Sequence, residues 1–224
     1  MNIRHAFTLA LALIAAPAQA ALYTYGQTPN QLIPDNNASG YASTINVSGF
    51  SEEITDEILD VNVRLTVSGG WNGDLYVFLV HNNSTTSILL NRVGRRFVNP
   101  DGFGDAGFDI WLNDAAASDI HEFGTGGSPL TGVWQPDGRR QDPNDVSNGG
   151  QRNAMLNVFN GQNPNGSWTL FVADVSGGHE STLVSWELGI QTVPEPVTVA
   201  LGVFGGVLGL AGMVRWLRRP RPWE

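Results

Sequence analysis

The chain has no cysteine and no lysine. Without cysteine there is no disulfide, no thiol nucleophile and no thiolate ligand for zinc, so the fold must hold through its core or through a metal bound by other ligands. Without lysine, all fixed side-chain positive charge rests on arginine. Seven arginines between Arg64 and Arg152 face nineteen Asp and Glu between Asp35 and Glu187. A body this acidic repels phosphate, which argues against nucleic acid and anionic lipid as partners. The histidines are also sparse. His81, His121 and His179 show no His-x-x-x-His spacing and no cluster with a carboxylate, so they read as turn or surface residues rather than zinc ligands. There is no internal repeat, no coiled-coil heptad and no Gly-x-Ser-x-Gly elbow.

What is present begins with two unusual ends. Arg4 and His5 precede an apolar run from Ala6 to Ala16 and a small-x-small site at Ala18-Gln19-Ala20. This pattern predicts a signal peptide over residues 1–20, handled by the Sec translocon and signal peptidase; the run is short for a membrane anchor. At the other end, residues 197–214 carry no charge. As a helix they would extend roughly 27 Å at 1.5 Å per residue, close to the hydrocarbon thickness of a bilayer. Trp216 and Leu217 extend the span to 197–217. Arg215, Arg218, Arg219 and Arg221, within the basic tail 215–224, would hold that end in the cytoplasm.

Between the ends the chain alternates short apolar stretches with Gly, Asn, Asp, Ser and Thr, the texture of an all-β sandwich. In LDVNVRLTVS a strict period of two puts Leu59, Val61, Val63, Leu65 and Val67 on one face. LYVFLVH is apolar on both faces and predicts a central strand buried on both sides. NNSTT and SILLNRV complete a hairpin. SWTLFVAD and TLVSWELGI predict two closing strands, with Val184, Trp186, Leu188 and Ile190 on the inner face of the second. NAMLNVF predicts a turn of helix. The sandwich is expected over 51–192, with 21–50 joining it.

The segment FNGQNPNGSWTLFVADVSGGHESTLVSWELGI resembles the closing strands of the P domain (Homo B domain) of proprotein convertases. The matching residues are Asn165 to Leu170, Asp174, Gly177-Gly178, Thr182-Leu183 and Ser185-Trp186. Gly73-Asp74-Leu75 is similar to that family's opening strand, and the resemblance runs from about Ser51 to Gln191. It implies a jelly-roll-like β-sandwich that accompanies a protease without catalysing. The catalytic domain of the convertases has no counterpart in these residues.

The last segment, 193–224, resembles a PEP-CTERM sorting signal of Gram-negative bacteria. Val193-Pro194-Glu195-Pro196 is followed by the apolar span and then the arginine cluster. The resemblance implies export across the inner membrane, processing by an exosortase-type enzyme near the motif, and delivery to the cell envelope or an exopolysaccharide matrix. The plainer alternative is an unprocessed membrane anchor.

Candidate chemistry inside the body is thin. Asp119, His121 and Ser128 have the residue types of a triad, but such close neighbours do not converge as nucleophile, base and orienter do, so no catalytic residue is assigned. Asp101, Asp105 and Asp109 lie in the glycine-rich DGFGDAGFD, a candidate calcium loop that matches no EF-hand spacing. DGRRQDPNDVSNGG reads as a solvated excursion. Trp71, Trp111 and Trp134 are either core residues, the favoured reading, or a stacking surface for sugars. The expectation is an exported, non-enzymatic β-sandwich of the envelope or matrix. The alternatives are an accessory module of a separate protease and a carbohydrate-binding domain.

Overall fold

The computed structural model describes residues 20–51, 56–124, 127–193 and 205–211. Contacts divide the chain into residues 20–193 and a second unit made of the two ends, 1–19 and 194–224. The expected signal peptide and arginine cluster lie outside the described residues, as do Pro194, Glu195 and Pro196. Of the expected span, residues 205–211 are described and are helical. Among the described residues no helix is long and apolar enough to cross a membrane.

Residues 20–193 form two packed β-sheets. The larger sheet has the order β1 (Ala21–Gln27), β10 (Ser181–Thr192), β4 (Ile58–Gly69), β7 (Phe108–Leu112), β8 (Leu130–Trp134), with β2 (Gln31–Ile33) also paired to β10. The smaller has the order β3 (Asn37–Val47), β9 (Gly166–Asp174), β5 (Leu75–His81), β6 (Thr85–Asn91). All pairs are antiparallel except β7 and β8, which run parallel.

Period-two patterning sets which residues lie between the sheets. Val61, Val63, Leu65 and Val67 of β4 point inward and are buried. Each such side chain contributes about 1.5–3 kcal/mol when fully removed from water. Leu59 does not follow them and stays 44% exposed. The cause is a bulge: Gln191 pairs with Asp60 and Thr192 with Ile58, so Leu59 is skipped and Ile58 takes the inward place. A second bulge, between Leu183 and Ser185, leaves Val184 half-buried and turns Leu183 into the core instead.

β5 is central in its sheet, as its apolar run suggests. Leu75, Val77 and Leu79 are buried, but Tyr76, Phe78 and Val80 on the outer face are only half-buried. Phe78 stacks there on Phe171 of β9, ring centroids 4.6 Å apart. The β5–β6 hairpin closes through Asn82 and Asn83 with φ of 50° and 53°, and the Ser84 amide donates to the His81 carbonyl at 3.1 Å. Two consecutive residues of positive φ make the type I′ turn that matches strand twist, and asparagine tolerates that conformation. NAMLNVF does form one turn, a 3-10 helix at Leu156–Phe159 with Leu156 and Phe159 in the core.

The largest fully buried side chains are Trp168 and Trp186. Each satisfies its indole N–H: Trp168 Nε1 donates to the Pro164 carbonyl at 3.0 Å, and Trp186 Nε1 to Ser43 Oγ in the opposite sheet at 2.9 Å.

Candidate functional site

Three places gather polar or aromatic groups. The first is a buried network at the loops that flank β7 and β8. Asp119 caps a short 3-10 helix, its Oδ1 accepting the His121 amide at 2.9 Å. Asp119 Oδ2 accepts Arg139 Nη2 at 2.7 Å and pairs with Arg152 Nε at 3.4 Å. His121 is 1% exposed. Its Nδ1 lies 2.7 Å from Asp137 Oδ2 and its Nε2 lies 3.0 Å from the Arg95 carbonyl. Burial opposes a charge on the imidazole, but the Asp137 hydrogen bond and charge outweigh it and raise its pKa above the ordinary value. Asp137 is shared with Arg139 Nη1 at 3.2 Å.

A histidine held by a carboxylate has the form of a general base and its orienter. Here the far nitrogen faces a backbone carbonyl, and no solvent reaches the ring. Ser128, by contrast, is exposed, and its Oγ accepts the Ala106 amide at 2.9 Å. The network therefore clamps loops together. It also revises two expectations. His121 and His81 are buried rather than at the surface; His81 stacks on Trp168, with centroids 4.1 Å apart. The segment from Asp137 to Gly150 is not simply solvated, because Asp137, Arg139 and Val146 are buried anchors. Sequence reading missed Asp137 and Arg139, whose partners lie 16 to 20 positions away in the chain.

The second place is the glycine-rich loop. Asp101, Asp105 and Asp109 are not brought together as ligands. Asp109 stands on β7, paired with Arg64 Nη2 at 3.2 Å. Asp105 accepts the Asn72 amide through its backbone carbonyl at 2.9 Å. Among the described residues no group of three or more His, Cys, Asp or Glu is placed to hold a metal ion.

The third place is the outer face of the larger sheet. A shallow groove there is lined by Leu22, Thr24, Asn62, Trp111, Val133 and Gly189, among others. Strand register explains it: Glu187, Arg64, Trp111 and Val133 lie side by side across four strands, and Thr24, Gly189 and Asn62 make the next row. The Arg64 guanidinium lies 6.0 Å from the centroid of the Trp111 ring. None of the three tryptophans weighed from sequence is fully buried. Trp134 packs against the core from its edge, Trp71 stacks on His179 at 4.4 Å, and Trp111 faces outward. The core reading fails for Trp71 and Trp111, because the core is already filled by Trp168 and Trp186.

The fold thus defines a two-layer all-β sandwich. The model of the proprotein convertase P-domain matches residues 136–190, from the arginine-clamped loop through the last two strands. No curated protein matches the chain. Among solved structures the chain is similar to the serine protease of Aeromonas sobria, in complex with the chaperone ORF2 (17% identity, TM-score 0.45) and by itself (16%, TM-score 0.43). Each alignment covers 78% of this chain and 27% of the other, so this chain spans about a quarter of the length of those it matches.

Proposed function

We propose that the chain is an exported, non-catalytic β-sandwich, jelly-roll-like in plan, that serves as an accessory module to a separate protease. What carries this reading is the P-domain match over residues 136–190, in a chain whose buried His121–Asp137 pair is closed to substrate. A P domain accompanies a catalytic domain, and the partner protease would supply that chemistry in trans. The test is affinity capture of the full chain from its native envelope, followed by mass spectrometry. A serine protease recovered in proportion to the bait supports the module. Its absence, with the bait intact, refutes it.

A second reading is favoured by Trp111 on the outer sheet face. In it the module belongs to the exopolysaccharide matrix and holds sugar by stacking. Retention on polysaccharide columns that is lost in Trp111→Ala, with the melting temperature unchanged, is its signature. Under either reading we assign residues 193–224 as a sorting segment. Val193 to Pro196 would be read by an exosortase-type enzyme, the apolar span would hold the motif at the membrane surface, and the arginines would stop translocation. Two prolines at the outer edge of a span add nothing to anchoring, but they keep a strip of chain extended for an enzyme groove. Peptide mass spectrometry of surface-derived protein should find the C-terminus near Pro196. A double Pro194→Ala, Glu195→Ala variant should retain Trp216. Wild-type protein that still carries Trp216 makes the segment an anchor only.

A further inference from the structure

One end of the sandwich carries buried polar groups whose hydrogen-bonding capacity the fold leaves partly unused. Asp174, at the end of β9, is fully buried. Its Oδ1 accepts the Ser176 amide at 3.2 Å, and its Oδ2 has no hydrogen-bond partner. Asp74 is 2% exposed and directly precedes β5, where Leu75 pairs with Asp174; the Asp74 carbonyl accepts the Val175 amide at 2.9 Å. The backbone thus sets the two acids beside each other across neighbouring strands. The buried cation near them is Arg92. Its Nη2 is 3.8 Å from Asp74 Oδ1, too long for a hydrogen bond, and its Nε is committed to the Gly73 carbonyl at 3.0 Å.

Two carboxylates against one guanidinium leave an uncompensated negative charge where water is excluded. Two neutral oxygens stand at the same end, both on fully buried side chains and both without a partner: Asn72 Oδ1 and Ser181 Oγ. Asn72 belongs to the same 3-10 turn as Asp74, and its Nδ2 is fixed on the Gly107 carbonyl at 3.1 Å, which sets the direction of its oxygen. Ser181 opens β10 opposite Gly69. Its Oγ lies 1.8 Å from where a Cβ on Gly70 would stand, so only glycine at position 70 leaves room for it. Buried polar atoms in native proteins are nearly always satisfied, so three unsatisfied oxygens on three segments that meet at this end of the sandwich point to a missing partner, and beside two carboxylates that partner is positive.

We propose that Asp74 and Asp174, together with Asn72 Oδ1 and Ser181 Oγ, bind a calcium ion at this end of the sandwich. The ligand set is all hard oxygen, two carboxylates with amide and hydroxyl oxygens, which suits calcium and not a transition metal. The ion ties the β4–β5 turn to the ends of β9 and β10, a cross-link in a chain that has no cysteine. The ligands are other residues than Asp101, Asp105 and Asp109 of the glycine-rich loop, which packs against the Asn72 turn, and failure of the site would leave the accessory-module reading untouched.

The test uses the full chain in mild detergent, freed of metal by chelator at pH 7.5. Calorimetric titration with calcium chloride should show saturable binding, and the melting temperature should rise with calcium by mass action. Asp174→Asn and Asp74→Asn should abolish both effects, while Asp109→Asn keeps them. If either variant fails to fold, titration of the wild type decides by itself. No binding at millimolar calcium overturns the proposal, and so does binding that survives both substitutions. A midpoint that rises on acidification but is indifferent to calcium shows that a proton fills the role, and equally overturns it.

Discussion

Truncating Trp168 to alanine probes the centre of the sandwich. The side chain is fully buried on β9, stacks on His81 at 4.1 Å, meets Phe159 edge-on at 4.9 Å, and donates to the buried Pro164 carbonyl at 3.0 Å. Removing a buried Trp costs about 3–5 kcal/mol through lost transfer and the cavity left behind. Aromatic pairs add about 0.5–1.5 kcal/mol each beyond area, and an orphaned buried acceptor costs about 1–3 kcal/mol. These contributions overlap, so the expectation is the upper end, about 4–5 kcal/mol. Trp168→Phe keeps most of the stack and loses the N–H donor, which predicts about 1–3 kcal/mol. Urea unfolding of residues 20–193, followed by circular dichroism, reads both. The order Ala, then Phe, then wild type in rising midpoint, with unchanged slope, is the expected result. A loss below about 1 kcal/mol for Trp168→Ala would place the ring outside the core and refute the reasoning.

Two further predictions concern titration and the hairpin. The His121 pKa is raised in the folded state above the ordinary 6.5, so its stabilisation is complete below pH 6.5 and fades as pH rises through the folded value; His121→Gln should flatten that part of the stability curve, and a wild-type curve with no fall there contradicts the Asp137 pairing. At the β5–β6 turn, Asn83→Gly should hold or slightly raise the melting temperature, while Asn83→Val should cost about 1–2 kcal/mol, because a β-branched residue resists positive φ; equal midpoints for the two variants would mean the turn relaxes.

Sequence alone determined the features that are local. Alternating side chains decide the face of a strand residue by residue, so the all-β class, the β5–β6 hairpin and the closing strands were legible in 59–68, 75–91 and 166–190. The absence of cysteine and the acidic balance need no coordinates either. Tertiary structure decided what depends on a partner far away in the chain. Leu59 and Val184 were misplaced because a bulge exists only in relation to the paired strand, and one skipped residue moves its neighbours between faces. Which tryptophans fill the core depended on sheet packing, which had room for Trp168 and Trp186 and left Trp111 outside. Asp137 and Arg139 looked like loop residues because polarity along a short window reports solvent by default. They are buried because the fold brings Asp119, His121 and Arg152 around them, and a charge can leave water only where such partners already stand. The nearness of Asp74 and Asp174 came likewise from strand register, which pairs Asp174 with Leu75, the residue next to an acid a hundred positions away in the chain.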